Sequence, residues 1–320
     1  MNAWDELVAR CAQRRREKIG PLSDQAFEEL LLAVRERPAD FVDSPSEQAL
    51  LELARALDAY RASRQDDDLL DDDAFRAARE RRLLALASAC DRAVAIDKGC
   101  LDARLVALLA REEDPDALLG SLVELEREAS VPVPEGGGDA WDDVWCRPRL
   151  RLRAAIARTC LDGARHRMAR TAAASLLATS PRDELGARHT EMLACARLED
   201  EAGLGELDAR FAGHESAWSH LARVILLYKL NRMAAARRAL RGFDGLCAGG
   251  AYALLRPTFV DVYLPDRPEV APCSFEECLM AVREAEPIVA DTPELIAWCQ
   301  DQDWFVASAR SFAERRDLDW

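Results

Sequence analysis

The sequence lacks most of what the common enzymes, nucleic-acid binders and membrane proteins are built on. Gly-x-Gly-x-x-Gly, the P-loop, Gly-x-Ser-x-Gly, His-Glu-x-x-His and paired Cys-x-x-Cys are all missing, which removes nucleotide enzymes of the common folds and most zinc hydrolases. No enzyme is expected. Lysine occurs only at Lys18, Lys98 and Lys229, so nearly all positive charge is arginine, and acidic residues outnumber basic ones by 58 to 43. The resulting net charge of −15 repels nucleic acid and anionic membrane, and neither is expected as a partner. The triplet Arg14-Arg15-Arg16 has no interleaved aromatics, is followed by Glu17, and reads as a solvated helix face. No run of 18 residues is uninterruptedly apolar, so no membrane-spanning helix is expected. Met1 to Glu6 lacks the basic start and apolar core of a signal peptide, which points to a cytoplasmic location.

Histidine is scarce too, with His166, His189, His214 and His220 the only four. His214 and His220 do not align on one helix, and Cys273-x4-Cys278 has no second ligand pair at zinc-finger spacing. The expectation is therefore no metal and no cofactor. The 10 cysteines are scattered, several at apolar helical positions, and read as small buried hydrophobes in a reducing compartment.

Hydrophobic residues make up 49% and aromatics only 6%, with alanine and leucine dominant, a mix suited to close-packed helices. The fold class expected is all-α, with about twelve to fifteen helices. Ser44-Pro45-Ser46-Glu47 is a strong helix start, as are Asp114-Pro115, Ser274-Phe275-Glu276-Glu277 and Thr292-Pro293-Glu294. Thr258 to Leu264 is the only strand-like run, and a lone strand cannot make a sheet, so it is expected as an extended segment lying on helices. The aspartate-rich run Asp66 to Asp73 has the wrong order for a calcium loop and reads as a mobile, self-repelling loop. Val131 to Asp139 carries prolines and glycines that no helix accepts. The chain divides accordingly into an N-terminal helical region (1–130), a linker or long loop (131–143), a repeat region (144–256) and a C-terminal helical cap (257–320).

Within 147–243 the pattern repeats at roughly 33 to 34 residues. In the first period Leu152, Ile156 and Cys160 recur at helical spacing, Asp162-Gly163 turns, and Ala169, Ala172, Leu176 and Leu177 line a second helix. Ser180, Pro181 and Asp183 look like the cap, first turn and acidic start of the next unit. The second period shows Leu185, Met192 and Ala196, a turn at Gly203, then Leu207 and Phe211. The third has Trp218, Leu221, Ala222 and Ile225, a turn at Asn231, then Ala236, Leu240 and Phe243.

This stretch resembles the tetratricopeptide repeat. With Pro181 as that family's terminal proline, Ile156 and Ala157 take its Leu-Gly position, Cys160 its tyrosine, Ala169 its small crossing residue and Leu176 its last core position. Arg153 stands where the family has tryptophan and Ala173 where it has phenylalanine. The resemblance implies stacked antiparallel hairpins forming a TPR-like superhelix or solenoid, with a concave groove lined by the first helices. Its ligand-facing positions fall on Arg151 and Arg158 in the first unit and on Ser219, Arg223 and Leu226 in the third. The implied function is a protein–protein interaction scaffold holding a peptide or partner helix, acidic where it meets these arginines. The second reading is a homo-oligomer, in which the tail carrying Trp298, Trp304, Phe305 and Phe312 docks on another copy, and the third is an enzyme with an unrecognised site.

Overall fold

The computed structural model describes residues 2–129 and 138–320; 73% of these are helical and no strand forms among them. Among the described residues sixteen α-helices follow one another: α1 (Ala3–Ile19), α2 (Asp24–Glu36), α3 (Pro45–Ala62), α4 (Asp72–Ile96), α5 (Leu101–Ala110), α6 (Pro115–Glu128), α7 (Arg147–Asp162), α8 (His166–Thr179), α9 (Ala187–Arg197), α10 (Glu201–Arg210), α11 (Ala217–Lys229), α12 (Met233–Leu246), α13 (Gly250–Leu255), α14 (Phe275–Ala290), α15 (Glu294–Gln300) and α16 (Asp303–Arg316). None is long and apolar enough to cross a membrane.

Two compact units divide the chain, Met1–Leu152 with Val262–Asp266, and Arg153–Asp261 with Arg267–Trp320. Much of the expected linker lies outside the described residues. The division falls instead inside α7, because Arg147 and Arg151 on its first turns reach carboxylates of the first unit. In that unit α3 packs on α1, α4 and α5, around a core that includes Leu7, Leu50, Leu53, Leu57, Leu86, Cys90 and Val106. Val262 and Leu264 pack against the same core, so the strand-like run is an irregular segment laid on helices.

Local chemistry explains most helix starts. Ser44 Oγ accepts from the Glu47 N–H at 3.3 Å and Pro45 occupies the first turn, while Glu47 Oε2 reaches back to the Asp43 N–H at 2.9 Å. That is a capping box displaced by one residue. At α14 the arrangement recurs, with Ser274 taking the Glu277 N–H and Glu277 taking the Cys273 N–H at 2.6 Å. Asp114 caps α6 as expected. The aspartate run is tied rather than loose at two points, since Asp71 caps α4 and Asp67 holds Arg82.

In the second unit, three hairpins close on the same turn. Each places one residue in the left-handed region, Ala164 at φ 54°, Glu199 at 59° and Asn231 at 55°, and each follows it with a long-reach bond: Arg165 N–H to Cys160 O, Asp200 N–H to Cys195 O, Arg232 N–H to Leu227 O. This is the Schellman closure, which satisfies carbonyls that the ending helix leaves open. Between hairpins, α9 packs on α8, α10 and α11, and α11 packs on α9, α10, α12 and α14.

Two expected turns fall elsewhere. Ser180 ends α8 by donating its N–H to Leu176 O, and α9 starts only at Ala187. The acid expected at that start still does its work, as Asp183 Oδ1 accepts from the Ala187 N–H at 2.6 Å. Gly203 lies inside α10 rather than at a turn, where the capping Asp200 carboxylate approaches so closely that a Cβ on Gly203 would sit 2.5 Å from Asp200 Oδ2.

Candidate functional site

The five residues assigned to a concave face do not share an open surface. Arg151 is 2% exposed and grips Asp102 with both edges of its guanidinium, Nε to Oδ1 at 2.9 Å and Nη2 to Oδ2 at 2.7 Å. Glu6 lies 3.4 Å from the same nitrogen and pairs with Arg10, which also reaches Asp102. The Trp141 ring lies 5.7 Å from the Arg151 guanidinium carbon. Arg151 is thus a structural ion-pair residue of the first unit, and no solvent-facing donor. Arg158 is also buried, with its charge near Asp162. Ser219 is the capping-box partner of Ser216, each hydroxyl taking the other's backbone N–H, and Leu226 is core. Arg223 alone keeps a substantial exposed side chain, and Asp208 binds it at 2.5 Å.

The chain itself covers part of the expected groove. Arg267 donates to both Glu284 oxygens at 2.7 Å, to the Leu185 and Gly186 carbonyls and to Thr190 Oγ1. Its guanidinium lies over Trp218, on which His189 stacks at 4.2 Å. Burial, followed by the charges of Arg267 and Arg188, pushes His189 well below the usual histidine range, so it is neutral at pH 7. Glu277 accepts the Ala217 N–H at 2.8 Å and so ties α14 to the start of α11. Residues Arg267 and Glu277 thereby attach to α9 and α11.

An open groove of about 580 Å³ lies in the first unit, between α3 and α4. Its lining combines the buried Tyr60 and Leu86 with small side chains: Ala56 and Ala59, three apart on α3, and Ala78, Ala85 and Ala89 on one stripe of α4. Arg55, Arg81, Arg82 and Arg92 rim it, against one acid, Glu52. Arg55 pairs with Glu52 at 2.8 Å, while Arg82 holds the Asp67 carboxylate with Nη1 at 2.8 Å and Nη2 at 2.5 Å. That bond is the main cause of the lowered Asp67 pKa. Arg81 and Arg92 are exposed and hold no acid among the described residues.

A second constellation joins side chains far apart in sequence. One ligand atom each from His220, Cys247 and Cys273 lies within 4.8 Å of the others. Spacing rules missed it, because its members come from three elements and no two are separated by a ligand-pair interval.

Comparisons with known families, curated proteins and solved structures give no match. Function therefore rests on the chain's own geometry.

Proposed function

We propose that this protein is a non-enzymatic interaction scaffold, in which stacked hairpins resembling tetratricopeptide repeats form the frame and the α3–α4 groove receives an acidic amphipathic helix of a partner protein. The observation that carries this reading is the channel lined by alanines, Tyr60 and Leu86 and bordered by arginines. Its α3 wall, from Glu52 to Ser63, is about 16 Å long at 1.5 Å per residue, the length of three helical turns. A guest helix could lay an apolar stripe on the alanines and present carboxylates to the rim, the helix-in-groove mode of recognition. Arg82 with Asp67 supports this chemistry, since the rim already binds a carboxylate through a two-pronged guanidinium. The three hairpins with a shared Schellman turn support the repeat frame, and repeat arrays commonly serve as extended binding surfaces. The cysteines lend no support to a thiol nucleophile: burial pushes Cys90, Cys195 and Cys299 up to about 12, leaving them protonated at neutral pH.

The test uses defined helical peptides rather than an unknown ligand. A 14-residue peptide with leucine at helical spacing and glutamate elsewhere is expected to bind in a fluorescence anisotropy titration, and its lysine counterpart is not. Arg81→Glu with Arg92→Glu should weaken the acidic peptide at least about tenfold while leaving the circular dichroism unchanged, because exposed rim charges act on recognition more than on folding. Added salt should weaken wild-type binding as well. Equal affinity in the double variant, or no binding of the acidic peptide by wild type, would overturn the proposal.

A further inference from the structure

His220 lies in the first turn of α11, Cys247 closes α12, and Cys273 directly precedes the Ser274 cap of α14. Backbone bonds hold the three together. The Ala248 N–H donates to Cys273 O at 2.8 Å, and Glu277 Oε2 receives both the Cys273 and the Ala217 N–H. Cys278, fully buried one turn into α14, shares a thiol hydrogen bond with Cys247. Among the described residues no other group of three such side chains gathers in this way.

Cys273 also differs from the other thiols. Nine cysteines are buried, as small apolar side chains would be, but Cys273 is only partly buried and sits in the left-handed region at φ 55°. Packing accounts poorly for a cysteine there. Tetrahedral zinc, with bonds of about 2.3 Å to sulfur and 2.0–2.1 Å to nitrogen, sets ligand atoms roughly 3.5–3.8 Å apart. Closing the observed trio needs at most about one ångström of side-chain movement. Thiolate and imidazole together favour zinc over magnesium or calcium, which prefer oxygen.

We infer that His220, Cys247 and Cys273 form a zinc site that fastens α14 to α11 and to the end of α12, with solvent in the fourth coordination position. It is independent of the α3–α4 groove. On binding, the S–H bonds of Cys247 and Cys273 each give their electron pair to the metal and their proton to solvent, while His220 donates a ring lone pair. Because the metal displaces the thiol protons, its affinity should rise with pH.

The experiment uses the full chain, stripped by chelator and reduced until thiol titration returns all ten cysteines. Cobalt(II) should bind one equivalent per chain, giving thiolate-to-cobalt charge transfer and the intense visible bands of a tetrahedral site, and zinc should displace it. Cys273→Ser, at a partly exposed position that tolerates the change, should weaken cobalt binding at least about tenfold with unchanged circular dichroism. Cys299→Ser, a buried thiol outside the cluster, should leave the titration unaltered. Absence of the tetrahedral thiolate spectrum in wild type, or equal binding by Cys273→Ser, would overturn the site.

Discussion

Replacing Arg151 by methionine should destabilise the first unit by about 3–5 kcal/mol, the usual cost of breaking a buried ion pair from one side. The geometry places it at that end of the scale. Arg151 and Asp102 are 2% and 1% exposed, joined by two hydrogen bonds, and the variant would leave Asp102 with only the longer 3.4 Å contact from Arg10. Methionine fills much of the same volume, so the loss reports the charge rather than a cavity. Urea titration followed by tryptophan fluorescence is the assay, as Trp141 lies against the guanidinium. The pH dependence adds a sign. Burial raises the Asp102 pKa, but the charge and hydrogen bonds of Arg151, then the charge of Arg10, outweigh it and hold the group below 3.8. A depressed folded pKa means that this stabilisation is full above the unfolded pKa and is lost as pH falls through the folded one. Without Arg151 the burial effect dominates, the folded pKa rises, and the variant's deficit should shrink as pH falls from 7 toward 4. Asp102→Leu combined with Arg151→Met should be less damaging than Arg151→Met alone, since no lone charge is then buried by that pair. A loss below about 1 kcal/mol, as for a surface pair, would refute the reasoning.

Two further outcomes follow from single positions. Asp183, 8% exposed, is pushed up to about 6 by burial against Arg188 and the Ala187 and Arg188 N–H groups. Because the folded state then binds the proton more tightly than the unfolded chain, wild-type stability should fall by up to about 3 kcal/mol as pH rises from 4 through 6. Asp183→Asn cannot ionise and tolerates φ 60°, so its stability relative to wild type should climb over that range; parallel denaturation curves would contradict this. At Gly249, φ is 71° and a Cβ would stand 2.5 Å from the Phe312 ring and 2.8 Å from Phe275. Gly249→Ala should cost about 2–4 kcal/mol through backbone strain and overpacking, and a melting temperature within experimental error of wild type would refute it.

What the sequence determined by itself was local. The all-α class, the starts at Ser44, Asp114 and Ser274 and the turn at Asn231 were readable because capping and helical periodicity act between residues about four apart. Misreadings began where a local signal had two uses. Ser180-Pro181 closes one helix instead of opening the next, and Gly203 makes room for Asp200 inside a helix. Tertiary structure decided the rest. Arg151 shares a spacing with surface arginines, yet its partner Asp102 is 49 residues away, and only packing puts the two side by side out of water. The side chains of α3 and α4 that line the open groove come together only when those helices face each other. His220, Cys247 and Cys273 likewise carry no motif, because the distance that matters to a metal is through space, and three separate chain segments must be folded before it exists.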